Sequence, residues 1–259
     1  MLYVFTLIHF IFVKKMFRHL GNSRTFKHNL RLATTLSMVA GIVNVCGLLA
    51  FGVLTTNVTG HFAFFSEELS RKDYATGFVF LLFTLCFLVG AFISNFLTEL
   101  ALKKKSKNPH FYPLLLEILL ITLVGLAFFE KNLTVLNSQF FTYALLLAMG
   151  IQNALVTNVS KSVVRTTHLT GLFTDLGIDL SQLIFRKSEG EKVVLEKNIT
   201  LRISIITFFF AGCLIGGILF HYFQLKTLLV ASVLLIMALY FDFLRFRYYI
   251  LKRKIFRRN

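Results

Sequence analysis

The chain has 259 residues, of which 56% are hydrophobic and 15% charged, with 31 Phe and 2 Pro, more apolar surface than one soluble core can bury. Apolar runs such as FLLFTLCFLVGAFI lack the alternation of a β-barrel, which leaves α-helices crossing a hydrocarbon layer of about 30 Å as the expected fold. The net charge of +16 sits in clusters between those runs, so it is assigned to membrane topology and no nucleic-acid partner is expected.

Residues 1–31 form a basic leader that opens with MLYVFTLIHFIFV. Its positive charges follow the apolar stretch instead of preceding it, so it is not a secretory signal. It is also too short to span, which leaves an interfacial helix or a start at Met16. Six spans are predicted near 34–56, 75–98, 112–129, 138–160, 203–221 and 227–243, and a basic tail covers 245–259.

The first span raises a length problem. Between Arg31 and Glu67 lie 35 residues without Lys, Arg, Asp or Glu, about 52 Å as one helix at 1.5 Å per residue. The chain must break, and TTNVTG at 55–60 is the place: Thr and Asn can cap freed backbone groups, and Gly60 tolerates unusual backbone. HFAFFSEELSR after it reads as a short amphipathic helix on the outer face.

The same pattern returns later. TNVTGHF at Thr56 to Phe62 is matched by THLTGLF at Thr167 to Phe173, and the G-I-x-N of Gly41 to Asn44 by that of Gly150 to Asn153. Downstream, Gly90 to Ser94 and Gly212 to Gly216 are both small-xxx-small patterns that let helices approach closely. Three features in one order predict a duplication: a first three-helix repeat at 32–130, an outer linker at 131–139 and a second repeat at 140–244. With three spans each, the second half starts on the opposite side, so the repeats are inverted, the arrangement that in transporters places the site at polar breaks.

Lys and Arg set the orientation. The leader, the loop after span two, the loop after span four and the tail hold 22, against 4 on the other side (Arg71, Lys72, Lys131 and Lys226), so both termini are expected in the cytoplasm.

Taken together, G-I-x-N, T-N-V-T-G-H, and G-I-Q-N with R-T-T-H-L-T-G downstream resemble the YoaK family, bacterial membrane proteins of a domain of unknown function, over roughly residues 32–244. The resemblance implies a multi-spanning protein of the bacterial inner membrane. It implies no substrate.

The candidate binding residues follow from the repeats: Asn44, Thr56, Asn57, Thr59 and Gly60 in the first half, and Gln152, Asn153, Arg165, Thr167, His168, Thr170 and Gly171 in the second. Amides in mid-span either coordinate a solute or ion or hydrogen-bond neighbouring helices. Arg165 beside a helix start suits an anion, or the segment is an ordinary amphipathic helix with Asp175 and Asp179 on its wet face. Glu117, inside LLLEILLI, either relays protons or pairs with Arg or Lys of the adjacent inner loop.

Cys46, Cys86 and Cys213 lie in apolar runs as packing residues, and His61 and His168 lack companions at ligand spacing, so no metal or cofactor is expected. No nucleophile elbow, HExxH, Walker loop or dinucleotide fingerprint is present, and no enzyme activity is expected. The expected function is a small-solute or ion permease driven by an ion gradient, with a structural or partner-binding membrane protein as the alternative. The expected partners are the lipid bilayer, a small solute or ion, and a second copy of the chain through its small-residue faces.

Overall fold

The structure is a computed structural model, described here for residues 25–106, 108–127, 135–185 and 188–240. The leader up to residue 24 and the tail lie outside it, as do residues 131–134 of the expected outer linker and the end of the sixth expected span, while 135–139 of that linker are helical. The described residues are helical and contain no strand. The helices are α1 (Phe26–Phe51), α2 (Val58–Ser70), α3 (Tyr74–Lys103), α4 (Phe111–Leu126), α5 (Val135–Ser160), α6 (Leu169–Phe185) and α7 (Glu189–Phe223). A 3-10 turn over Gln224–Thr227 follows, and helical backbone resumes over 228–240.

Among the described residues, four stretches are long and apolar enough to cross a membrane: Phe26–Phe51, Tyr74–Lys103, Ser138–Ser160 and Glu189–Tyr240. Phe111–Leu126 is apolar but shorter, at 16 residues. The fourth stretch counts two of the six expected spans as one. Gln224, at φ 49°, interrupts it, and the backbone on either side is helical.

Several boundaries differ from expectation: α1 ends at Phe51, five residues short, α3 runs on to Lys103, and two helix starts shift for a plain physical reason. α1 starts at Phe26 and carries Arg31 within it, buried at 9% exposure; a long side chain can lay its methylenes along apolar surface without ending a helix. The stretch assigned to an inner loop before 203 is helical from Glu189, where Glu189 and Glu191 sit in the first turn and complement its dipole.

Glycine decides which helices touch. A Cβ on Gly212 would overlap the backbone of Met38, and one on Gly216 would press on Ile42 and Val45, so α1 and α7 lie in parallel with their backbones in contact. A Cβ on Gly90 would overlap the backbone of Leu147. Phe83 meets Tyr143 with ring centroids 5.3 Å apart, and Asn158 Nδ2 donates to Asn95 Oδ1 at 2.8 Å, so α3 and α5 are parallel too.

α1 and α5 run against each other. Gln152 Nε2 donates to the Leu36 carbonyl at 2.9 Å, while Phe51 faces Phe141 at 6.3 Å. The pairing on one side reproduces the other. Gly41 sits on the backbone of Phe209 and Cys213, and Gly150 on that of Phe87 and Ala91. Residues 109 apart on the central helices therefore meet residues 122 apart on the flanking ones.

α1 and α5 are the most enclosed helices. α3 and α7 turn large apolar side chains outward, among them Leu88, Phe92, Phe96, Phe210 and Ile218. Among hydrocarbon tails that outward face costs nothing, and close packing holds the helices together where the hydrophobic effect cannot. Helix α4 lies against α5, and 228–240 runs antiparallel to α4: Gly125 meets Leu228 and Leu229, and Thr122 donates to Ser232 at 2.9 Å.

Candidate functional site: two chain reversals

α1 ends at Gly52, whose φ of 70° is the left-handed conformation that glycine adopts without penalty. The chain then doubles back along the helix it has just left. Val53 N–H bonds to the Gly47 carbonyl, and Thr55 lies against Gly47. Thr56 reaches Asn44, donating to its Oδ1 from both N–H (3.1 Å) and Oγ1 (3.0 Å). From Phe51 back to the level of Asn44 is seven residues, about 10 Å of helix. There α2 begins, capped by Asn57 Oδ1, which accepts from the Gly60 N–H at 3.1 Å.

Gly60 is glycine because the cap folds over it: a Cβ would overlap the Asn57 amide. α2 then climbs beside α3, with His61 against Phe80 and Phe83. The ring is buried, its Nε2 3.0 Å from the Leu54 carbonyl. Burial holds the His61 imidazole below its ordinary value, because the charged form loses water, and the bond to Leu54 only partly offsets this.

The second reversal repeats the first. α5 ends at Ser160, and Ser160 Oγ bonds the Val164 N–H at 3.0 Å. Thr167 Oγ1 then donates to Asn153 Oδ1 at 3.0 Å, again seven residues back from the helix end. α6 starts one residue after His168, whose ring lies over Gly171 as Asn57 lies over Gly60. The shared seven-residue motif thus encodes one local structure twice: a threonine that hooks the mid-helix asparagine, a side chain just before the helix start, and a glycine beneath it.

The two reversals lie at different heights. Leu36 is level with Gln152, so Asn44 and Asn153 are displaced by about nine residues, roughly 14 Å, along the antiparallel pair. Each asparagine is bonded within its own reversal, and they do not line a single pocket together. Gln152 is the member of the set that faces the other half: fully buried, it contacts Leu36 and, at 3.4 Å, Thr166, while its Oε1 has no hydrogen-bond partner among the described residues. Asn57, Thr59, Arg165, His168 and Thr170 are exposed, and Thr56, Gly60, Thr167 and Gly171 are half-buried.

Asp179 is not on a wet face. It is buried and forms an ion pair with Arg202 of α7, which also reaches Asp175 at 3.4 Å. Arg202 is one of the basic residues that the sequence assigns to the loop after span four, which hides this pairing. An arginine inside TLRISII needs a counter-ion, and that was the available signal.

The fold and these reversals define an all-helical protein whose apolar helices suit a multi-pass membrane protein. The chain belongs to the family described as "Protein of unknown function (DUF1275)", whose model matches residues 32–241, in line with the resemblance to YoaK-like membrane proteins. No curated protein and no solved structure matches it.

Proposed function

We propose that the protein is a small-solute or ion permease of the bacterial inner membrane, a secondary transporter made of two three-span halves of inverted topology with both termini in the cytoplasm. The observation that carries this reading is the pair of chain reversals locked by Asn44–Thr56 and Asn153–Thr167. Each sets the start of a short helix back along a central helix instead of at the end of the bundle. Broken helices at corresponding positions of two inverted halves are how transporters aim positive helix ends at a bound solute.

The reciprocal glycine contacts support the inversion, since an exchange of halves maps each contact onto the other. Parallel pairing of the first expected span with the fifth, and of the second with the fourth, is also what alternating spans require. Gln152, with its unpartnered Oε1 between the halves, is the residue best placed to meet a solute.

Reconstituted protein tests the reading through thermal stability against a broad panel of solutes and ions. The expected result is stabilisation by at least one solute that disappears in Gln152→Leu and in Arg165→Leu. No stabilising solute, with stability itself lost in Asn44→Leu and Asn153→Leu, would make the reversals packing joints of a structural or partner-binding protein.

A further inference from the structure

Glu117 stands on α4 with no exposed surface, and neither carboxyl oxygen has a hydrogen-bond partner among the described residues. It shares a face with Leu114, Ile118 and Ile121, which belong to the central apolar cluster. α4 packs against α5, against α3 and against the segment that starts with the 3-10 turn.

The titratable groups of those elements do not serve it. Tyr143 of α5 is engaged with Phe83 and Phe140. On α3, Tyr74 and Lys103 are exposed, and neither Glu99 nor Cys86 can supply a counter-charge. Lys226 precedes the residues that meet Gly125, at the far end of α4, and Tyr240 carries no charge to offset a carboxylate. Lys104 and Lys105 of the adjacent loop are exposed, so pairing with that loop is not seen among the described residues.

Among the described residues a carboxylate in this position lacks both counter-charge and donors, the costliest state for a buried acid, whereas the neutral acid carries no charge to compensate. Packing alone does not require it, because a leucine would fill similar volume without a polar group. We propose that Glu117 is a proton-binding site: its carboxylate accepts one H⁺ to become the acid and returns it as H⁺ when the bundle admits water. Resting on the permease reading, this makes the proton the ion coupled to solute movement.

Infrared spectra of the full chain in lipid nanodiscs test it, comparing wild type with Glu117→Gln and Glu117→Asp over the pH range in which the protein stays folded. The expected result is one protonated-carboxyl band that is absent in Glu117→Gln, displaced in Glu117→Asp, shifted in D₂O and lost as pH rises. If Glu117→Gln folds poorly, the displacement in Glu117→Asp still carries the assignment. A band missing at every pH, or one indifferent to pH and to D₂O, overturns the proposal. A titrating band in a protein that no solute stabilises keeps the proton site and removes the permease reading alone.

Discussion

Asn44 and Asn153 do the same work in different halves, and the first does more of it. Asn44 Oδ1 accepts from a backbone N–H and a hydroxyl, whereas Asn153 Oδ1 accepts from a hydroxyl. Leucine at either position leaves threonine donors unpaired in a half-buried place, which costs about 1–3 kcal/mol. We expect Asn44→Leu to lower the unfolding midpoint in detergent more than Asn153→Leu. A double-mutant cycle of Asn44→Leu with Thr56→Val should give a coupling of about 0.5–1.5 kcal/mol, whereas Asn44→Leu with Thr167→Val should be additive. Additivity in the first cycle would mean that the hook contributes nothing.

At the scale of the helix, glycines divide into those that let backbones touch and those that do not. Gly150 is of the first kind, pressed on the carbonyl of Phe87, while Gly177 on α6 has open space where a side chain would go. Alanine at 150 must push α3 from α5, with an expected loss above about 2 kcal/mol, comparable to overpacking in a tight core. Alanine at 177 should stabilise by about 0.5–1 kcal/mol through helix propensity. Denaturation curves of the two variants in one detergent check both signs.

Element ends were less legible than element existence. G-I-x-N and the Thr-Gly motif marked where the chain breaks, but nothing local told that residues 53–56 would return along α1, because the return depends on a hydrogen bond to a residue twelve positions earlier. The burial of Asp179 was hidden for the same reason: its partner lies 23 positions on, in another helix.

For the whole molecule, the spaced motifs predict a duplication, and reciprocal glycine contacts are the pattern a duplication would produce. Which helices become neighbours was not readable, since the glycine patterns announce close approach without naming a partner. The proposed six spans of alternating direction require the stretches around Lys72 and Lys192 to face opposite sides. Single cysteines introduced there in a chain whose own three cysteines are replaced should label with an impermeant reagent from opposite faces of sealed vesicles. Labelling from one face would remove the inversion.

The parallel seating of α1 on α7 bears on how the chain is made. Cys213 Sγ reaches the Gly41 carbonyl across 172 positions of sequence. During synthesis α1 is therefore made long before α7, and its groove stays unfilled until most of the polypeptide has left the ribosome. Nascent chains cut short before that point keep an adhesive strip of bare backbone turned to lipid, the surface that quality control of unfinished membrane proteins would meet first.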